Sequence, residues 1–250
     1  DWPEAPKFAT SAVEIRGPSF IADVRWPDGR GERRPVFFIG MGHFGQVRRD
    51  VDVFPDYGFN IIQIEFGPNS VLPTEDSYSD AAINGFRSVC ERAARAGVKV
   101  NLLISPHYFP DWALAKWPHL RDCRGGFIRF CVHAPESRAV LEKYLRYTIP
   151  RIRGLDALHS ICLSNEPVST GSADDPFRLP LWREYIKRKH GSIEAVNAIY
   201  GTNYRSFEEV PHPRLAFEEN LAALYDAVRF NQERFSEWHA WLVGIIHELA

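Results

Sequence analysis

Four short apolar runs of this chain each end in residues that could take part in chemistry. The four ends read Gly40-Met41-Gly42-His43-Phe44, Gln63-Ile64-Glu65-Phe66, Ser105-Pro106-His107-Tyr108 and Ser164-Asn165-Glu166-Pro167. Each end carries polar or aromatic side chains suited to a small polar ligand. Two of them carry a carboxyl group, at Glu65 and Glu166, and a positioned carboxyl group can act as a general acid or base. Proton transfer to or from a small polar substrate is therefore the predicted chemistry.

The sharpest of these signals is Asn165-Glu166-Pro167. A carboxyl group that is half-enclosed by aromatic loops is kept protonated by desolvation and can then donate its proton. The preceding Asn165 could hydrogen-bond to a hydroxyl group of the substrate. The tripeptide alone is weak evidence, since a strand can equally end in a glutamate with an ordinary salt bridge. Its position at the end of the fourth apolar run favours a functional role.

The elements that would position these residues follow from the apolar pattern. The runs at residues 35–40, 60–66, 98–105 and 158–164 are short, rich in β-branched residues and apolar on both faces, which is typical of parallel strands covered by helices. Helical periodicity lies between them, at residues 80–96 before Gly97 and again after Pro135. A weaker helix is predicted at residues 46–57, interrupted by Pro55 and ended by Gly58. These βα units predict a parallel sheet whose carboxyl ends share one edge.

The flanking regions differ from this pattern. Residues 11–34 predict a β-hairpin with residues 19–26 as one arm and a turn at residues 27–30, so residues 1–34 lead into a domain of residues 35–250. After Glu166 the chain is predicted to be helical, at residues 181–190 and 192–200 and in a long helix from Leu221. The apolar face of that helix is predicted to pack in the core, and it comprises Leu221, Leu224, Tyr225, Val228, Phe235, Trp238, Leu242, Ile245 and Ile246.

Composition excludes several classes of protein. The chain has 30 basic and 32 acidic residues and a net charge of −2, so it offers neither a basic stripe for nucleic acid nor a polybasic membrane patch. No stretch of 18 apolar residues is present. The four cysteines, at positions 90, 123, 131 and 162, lack the spacing of a metal site, so no metal and no cofactor are predicted. A disulfide between Cys123 and Cys131 is open, but free thiols are expected.

Several segments resemble clan A glycoside hydrolases, and most of all the β-galactosidase-type enzymes of glycoside hydrolase family 42. The resemblance rests on residues 20–28 with 35–40, 57–62, 96–100, 110–112 with 117–120, 164–167 and 200–207. It implies an α/β fold, namely the N-terminal half of a (β/α)₈ TIM barrel with a leading β-hairpin, four parallel strands and a helical extension. Four strands leave the barrel incomplete, and both ends of the sequence look cut. Oligomeric state and compartment stay open, a homo-oligomer included.

The resemblance also implies a reaction, which is hydrolysis of β-linked galactosides or related oligosaccharides with retention. Glu166 would be the general acid/base, and Asn165 would hold the 2-hydroxyl of the sugar. Retention needs a second carboxyl group about 5–5.5 Å away. In the family this nucleophile is a glutamate at the end of the seventh strand, which lies beyond Ala250, so the chain alone is expected to be inactive. Gln63 departs from the arginine that many clan members carry on the second strand.

Further residues could bind the sugar, each with a plainer alternative. His107 and Tyr108 could contact it, although a buried histidine is often only a core residue. Glu65 could bind a hydroxyl or pair with a basic neighbour. Trp112, like Trp117, could stack on a sugar face or only fill its loop, and the evidence for His43 and Phe44 is weaker.

Two other functions remain open. The first is a carbohydrate-binding relative without activity, which the Gln63 departure allows. The second is a dinucleotide-binding protein, because Gly40-x-Gly42-x-x-Gly45 follows a strand and Glu65 ends the next one. The polar residues after Gly45 and the early Pro55 disfavour the dinucleotide interpretation.

Overall fold

The computed structural model of the chain describes residues 6–42, 45–123, 126–167, 175, 177–214 and 219–250. The backbone forms two compact units. The first contains Asp1–Tyr108, Tyr144–Asn165 and Leu249–Ala250, and the second contains Phe109–Lys143 and Glu166–Glu248. The predicted domain boundary at residue 34 lies inside the first unit and stays a prediction.

The first unit begins with an antiparallel sheet of three strands in the order β1-β2-β3. These strands are β1 (Lys7–Arg16), β2 (Ser19–Arg25) and β3 (Gly31–Val36). The predicted hairpin corresponds to β2 and β3, and its turn is closed by the Trp26 amide donating to the Arg30 carbonyl at 2.9 Å. The sheet extends the prediction by one strand, β1, which pairs along the other edge of β2.

The parallel sheet of the first unit contains the four predicted strands in chain order. They are β4 (Gly40–Met41), β5 (Ile61–Glu65), β6 (Lys99–Leu103) and β7 (Leu158–Cys162). All pairings are parallel, with Ile62 opposite Val100 at the centre. Ile62, Ile64, Val100 and Leu102 are at most 1% exposed, so alternate side chains of the strands lie in the core.

The first predicted parallel strand, residues 35–40, was wrong in its bounds. Pro35 and Val36 still belong to the antiparallel sheet, where they pair with β2. The side chain of Asn60 then fixes the bend, because its Nδ2 donates to the Phe37 carbonyl at 2.7 Å and its Oδ1 accepts from the Ile39 amide at 2.9 Å. The parallel strand starts only at Gly40, where a Cβ atom would lie 1.8 Å from the Ile61 carbonyl oxygen.

Eight α-helices lie in the described residues, and most follow the predicted periodicity. They are α1 (Gly45–Arg49), α2 (Pro68–Val71), α3 (Ala81–Ala96), α4 (Asp111–Lys116), α5 (Pro135–Ile152), α6 (Arg178–His190), α7 (Ile193–Tyr200) and α8 (Leu221–Leu249). Short 3₁₀ turns occur at Phe54–Tyr57, Pro118–Cys123 and Phe207–Glu209. None of these helices is both long and apolar enough to cross a bilayer.

The interrupted helix predicted at residues 46–57 divides into α1 and the 3₁₀ turn Phe54–Tyr57, so the interruption begins at Asp50 and not at Pro55 as predicted. Pro55 lies in the first turn of that 3₁₀ helix, where its missing N–H is not needed. Gly58, with φ of 79°, ends it in the left-handed region. α2 and α4 were not predicted because each is a single turn or little more.

Helices α6, α7 and α8 share a core in the second unit. It is formed by buried residues that include Trp182, Ile186, Val196, Ala227 and Phe230. No strand follows Glu166 in the part of the chain that the structure describes, as predicted. The carboxylate of Asp226, whose residue is 3% exposed, accepts hydrogen bonds from Lys189, from His190 at 2.6 Å and from Tyr200 at 2.7 Å.

The apolar face predicted for α8 is only partly correct. Its C-terminal half is buried, through Trp238, Leu242, Ile245 and Ile246. In its N-terminal half Leu221, Tyr225 and Val228 are 77%, 60% and 39% exposed. Ala223, Ala227 and Phe230 are buried there instead. The face of α8 that carries Asp226 packs against α6 and α7.

Candidate active site

The carboxyl ends of β5 and β6 bring Glu65 and Tyr108 together. The Glu65 carboxylate accepts a hydrogen bond from the Ser105 hydroxyl at 2.7 Å and another from the Tyr108 hydroxyl at 3.1 Å. Its two oxygens are thus each held by one hydroxyl group. A carboxylate oxygen has room for a second donor, so this group can still accept hydrogen bonds from a ligand.

The backbone around Ser105 makes this arrangement. Ser105 is fully buried and has a φ of 41°, in the left-handed region that residues other than glycine rarely adopt. Its carbonyl accepts from the Tyr108 amide at 3.0 Å, and the Tyr108 carbonyl accepts from the Asn69 amide at 3.0 Å. Gly67 allows the close approach, because a Cβ atom there would lie 2.5 Å from Cβ of Tyr108.

Tyr108 faces outward and His107 does not. Tyr108 is 41% exposed, whereas His107 is 8% exposed and its ring centroid lies 4.2 Å from that of Tyr108. Partial burial, the negative charge of Glu65 and the hydrogen bond to it raise the pKa of Tyr108, so its phenol stays a donor at neutral pH. Tyr108 is therefore accessible at this end of the sheet, whereas His107 is buried next to it.

The Glu65 carboxylate has no basic partner in the described part of the chain. The Arg48 guanidinium donates to the backbone carbonyl of Glu65 and not to its carboxylate. No lysine or arginine forms a salt bridge with Glu65 among the residues that the structure describes. The carboxylate is held by hydroxyl groups alone.

A row of polar side chains crosses three strands below Glu65. Gln63 Nε2 donates to Asn101 Oδ1 at 2.8 Å, and Asn101 Nδ2 donates to Ser160 Oγ at 2.7 Å. Gln63 lies two residues before Glu65 and so on the same face of β5. Asn101 and Ser160 were missed by the sequence reasoning, although a polar residue inside each of two apolar runs was the available signal. Gln63, the departure from the family pattern, is thus tied into the sheet.

Glu166 follows β7 outside any helix, in the bend that begins at Asn165. It has a φ of 39° and is exposed, while Asn165 is half-buried. The aromatic enclosure predicted for this carboxyl group is absent from the residues described around it, since Glu166 and Pro167 are both open to solvent and residues 168–174 lie outside the described set.

Trp112 and Trp117 form an aromatic pair in the second unit. Both are half-buried, and their ring centroids are 6.2 Å apart at 56°. Lys116 Nζ lies 4.8 Å from the centroid of the Trp117 ring. Each tryptophan keeps part of its surface accessible. His43 and Phe44 lie outside the described residues.

The cysteines correct one expectation. Cys131 is disulfide-bonded, so the predicted free thiol at this position is wrong. Cys90 and Cys162 are free, and the side chain of Cys123 lies outside the described part of the chain. The Cys131 sulfur lies 3.8 Å from the His119 carbonyl oxygen. Within the described ranges no group of three or more histidine, cysteine or acidic residues could hold a metal ion.

A series of four parallel strands alternating with helices, with carboxyl groups at and after the strand ends, is consistent with part of a (β/α)₈ barrel. The sequence model of glycoside hydrolase family 42, described as β-galactosidase, matches residues 43–250. The chain belongs to this family. The resemblance recognised in the sequence and the partial-barrel fold are thereby confirmed. The helix that begins at Gly45, α1, has only five residues, which disfavours the dinucleotide-binding interpretation of the glycines before it.

Similar proteins give the same result. The chain is 28% identical over 169 residues to β-galactosidase BgaA of Thermus sp, covering 61% of this chain and 26% of that protein. It is 27% identical over 222 residues to a β-galactosidase of Arthrobacter sp, covering 80% and 31%. The crystal structure of a β-galactosidase from Rahnella sp. R3 shares the fold with a TM-score of 0.73 at 16% identity, covering 97% of this chain and 36% of that chain. The chain thus spans about a quarter to a third of the length of the curated relatives it matches.

Proposed function

We propose that the full-length protein is a retaining β-galactosidase in which Glu166 is the general acid/base. The observation that supports this proposal most is the place of Glu166, which comes soon after the fourth parallel strand, Leu158–Cys162, and is exposed. In (β/α)₈ barrels the reacting groups lie at the carboxyl ends of strands. Asn165, the preceding residue, is proposed to hold the 2-hydroxyl of the sugar.

The proposed reaction has two steps. In the first, the Glu166 carboxyl group donates its proton to the glycosidic oxygen while a second carboxylate attacks the anomeric carbon and the aglycone leaves. In the second, the Glu166 carboxylate takes a proton from water, and that water displaces the enzyme carboxylate from the anomeric carbon. Retention follows from the two inversions.

The second carboxylate is proposed to lie outside these 250 residues. Retention requires two carboxyl groups about 5–5.5 Å apart, and the described residues contain four parallel strands, so a glutamate after a seventh strand is not among them. Residues 1–250 alone are therefore proposed to be inactive. An oligosaccharide or glycoside is the proposed partner, without a cofactor.

Sugar binding is proposed for the groups at the neighbouring strand ends. Glu65 and Tyr108 offer an acceptor and a donor in direct contact with each other, and sugar hydroxyls need both. Trp112 is proposed to stack on an apolar sugar face. His107 is proposed to support the Tyr108 ring from behind, because it is buried.

The anomer of the first product tests the reaction. The full-length protein is incubated with 4-nitrophenyl β-galactoside, and the sugar is followed by proton NMR. We expect β-galactose to appear first and α-galactose only after mutarotation. Appearance of α-galactose first would exclude retention. Binding of galactose without hydrolysis would favour the inactive carbohydrate-binding relative.

Tyr108→Phe tests the proposed sugar contacts. The variant removes one donor to Glu65 and one potential donor to the sugar while the ring keeps its packing on His107. We expect KM for the β-galactoside to rise about threefold to tenfold, since one hydrogen bond to a neutral sugar hydroxyl is lost, with a smaller change in kcat. Tyr225→Phe, an exposed tyrosine of α8, serves as the matched control. Unchanged KM in the Tyr108 variant would remove this residue from the site.

A further inference from the structure

A cavity of about 1030 Å³ lies at the amino ends of β5 and β6, within the first unit. Its floor is formed at Phe8 of β1 and at Gly97, just before β6. These two segments touch, because the Phe8 amide donates to the Gly97 carbonyl at 3.4 Å and a Cβ atom on Gly97 would lie 2.6 Å from Cβ of Lys7. The cavity is therefore built by close packing of the antiparallel sheet against the end of α3.

Two aromatic residues line this cavity, Trp26 and Tyr57. Trp26, which follows β2, is half-buried and packs against Arg30 and Arg34, whose guanidinium carbons lie 5.2 and 5.4 Å from its ring centroid, whereas Tyr57 is 77% exposed. The Tyr57 ring is therefore largely open to a ligand in the cavity. The apolar face of a pyranose ring matches such an aromatic plane.

Positive charge dominates the remaining lining among the described residues. These comprise three cations, at Lys7, Arg25 and Arg95, against one carboxylate, Asp56. Lys7 lies 4.0 Å from Asp56, at the limit of an ion pair. Arg25 and Arg95 have no acidic partner among the residues that the structure describes. Two guanidinium groups thus face a cavity with donors that suit sulfate or carboxylate groups.

We propose that this cavity binds a segment of an anionic polysaccharide, with a pyranose ring on Tyr57 and sulfate or carboxylate groups on Arg25 and Arg95. The site is separate from Glu65 and Tyr108, which follow the opposite ends of the same strands, and a five-residue strand spans about 16 Å. The proposal rests on the proposed function in one respect, that the protein meets carbohydrate chains. It would hold the enzyme on a charged polymer while the strand ends act on a glycosidic bond.

The test is affinity electrophoresis of the full-length protein in native gels that contain polygalacturonate, a sulfated galactan or a neutral β-galactan. We expect retardation by the first or second polymer and none by the neutral one, and the stronger of the two identifies the anionic group. The double variant Arg25→Gln/Arg95→Gln should weaken binding about tenfold or more, since two charged hydrogen bonds are lost. Tyr57→Ala should weaken binding severalfold without affecting the fold, because its side chain is exposed.

The control is Arg205→Gln/Arg229→Gln, which removes the same charge from two exposed arginines outside the cavity. Equal weakening by the two double variants would show general electrostatic attraction and overturn the proposal. So would equally tight binding of a single-stranded DNA, or an absence of retardation by both anionic polymers. Hydrolysis of 4-nitrophenyl β-galactoside by the double variant is expected to equal that of the unmodified protein. Retardation in the gel measures binding alone, so its result does not depend on whether the protein is a galactosidase.

Discussion

Glu166→Ala is expected to lower kcat of the full-length protein on a β-galactoside by about 10²–10⁴-fold, the usual contribution of a general acid/base. The loss should be greatest for substrates with a poor leaving group, because these need the proton from Glu166 in the first step. With an activated aryl galactoside the first step proceeds without that proton, and the second step becomes limiting because no base activates water.

Azide should then restore turnover, since it attacks the anomeric carbon without needing a base. We expect the product to be β-galactosyl azide, which can be identified by NMR. Glu91→Ala, an exposed glutamate of α3, is the matched control and should be fully active. Full activity of the Glu166→Ala variant would contradict the assignment of Glu166. So would a failure of azide to raise the turnover of activated substrates by this variant.

The second large effect is expected for stability, from Asp226→Ala. The carboxylate of Asp226 is buried and accepts from Lys189, His190 and Tyr200. Its removal leaves these three polar groups around an empty position inside the second unit. Breaking a buried ion pair by removing one partner costs about 3–5 kcal/mol. We expect a loss of this size in the free energy of unfolding, measured by urea denaturation with the fluorescence of the tryptophans.

Two comparisons make the Asp226 experiment specific. Tyr200→Phe removes one neutral donor to the same carboxylate and should cost less, about 1.5–3 kcal/mol, the contribution of a hydrogen bond to a charged group. Asp76→Ala, at an exposed aspartate, should change stability little. A loss below about 1 kcal/mol for the Asp226 variant would mean that the three donors are satisfied by water.

The effect of Asp226 should depend on pH in a defined direction. Burial opposes its ionisation, but the hydrogen bonds from Lys189, His190 and Tyr200 outweigh burial and hold the pKa of Asp226 below its usual value. The unfolded chain titrates near a pKa of about 3.9. The stabilisation is therefore fully present above that pH and is lost as the pH falls through the lower pKa of the folded state. The difference between Asp226→Ala and the unmodified protein should shrink in that acid range.

The strands and main helices could be predicted because their signals are local. Apolar runs between helical periods fixed β5, β6 and β7 to within a few residues, and Gly97 marked the end of α3. The start of β4 could not be predicted, because it depends on a side chain 20 residues away, Asn60, which binds the intervening backbone. The exposed half of α8 was missed because burial of Asp226 depends on partners from α6 and α7.

The candidate site shows the same division. The sequence predicted that Glu65 and Tyr108 follow strands at one edge, and the structure places their side chains in contact. The sequence did not reveal Ser105 as the second partner of Glu65, since that contact needs a backbone conformation rare for serine. The row of Gln63, Asn101 and Ser160 could not be predicted, because it depends on the register between three strands. The sequence of each strand alone does not specify that register.

Ser105 and Glu166 are the residues other than glycine with positive φ in the described chain, and each follows a parallel strand of the sheet. Such a conformation costs about 1–3 kcal/mol, which glycine would not incur. In directed evolution, screening for heat tolerance alone would accordingly enrich glycine at both positions. The protein would then lose the Ser105 hydroxyl group that donates to Glu65 and the carboxyl group of Glu166. Thermostable variants should be sought elsewhere in the chain, with these two codons left unchanged.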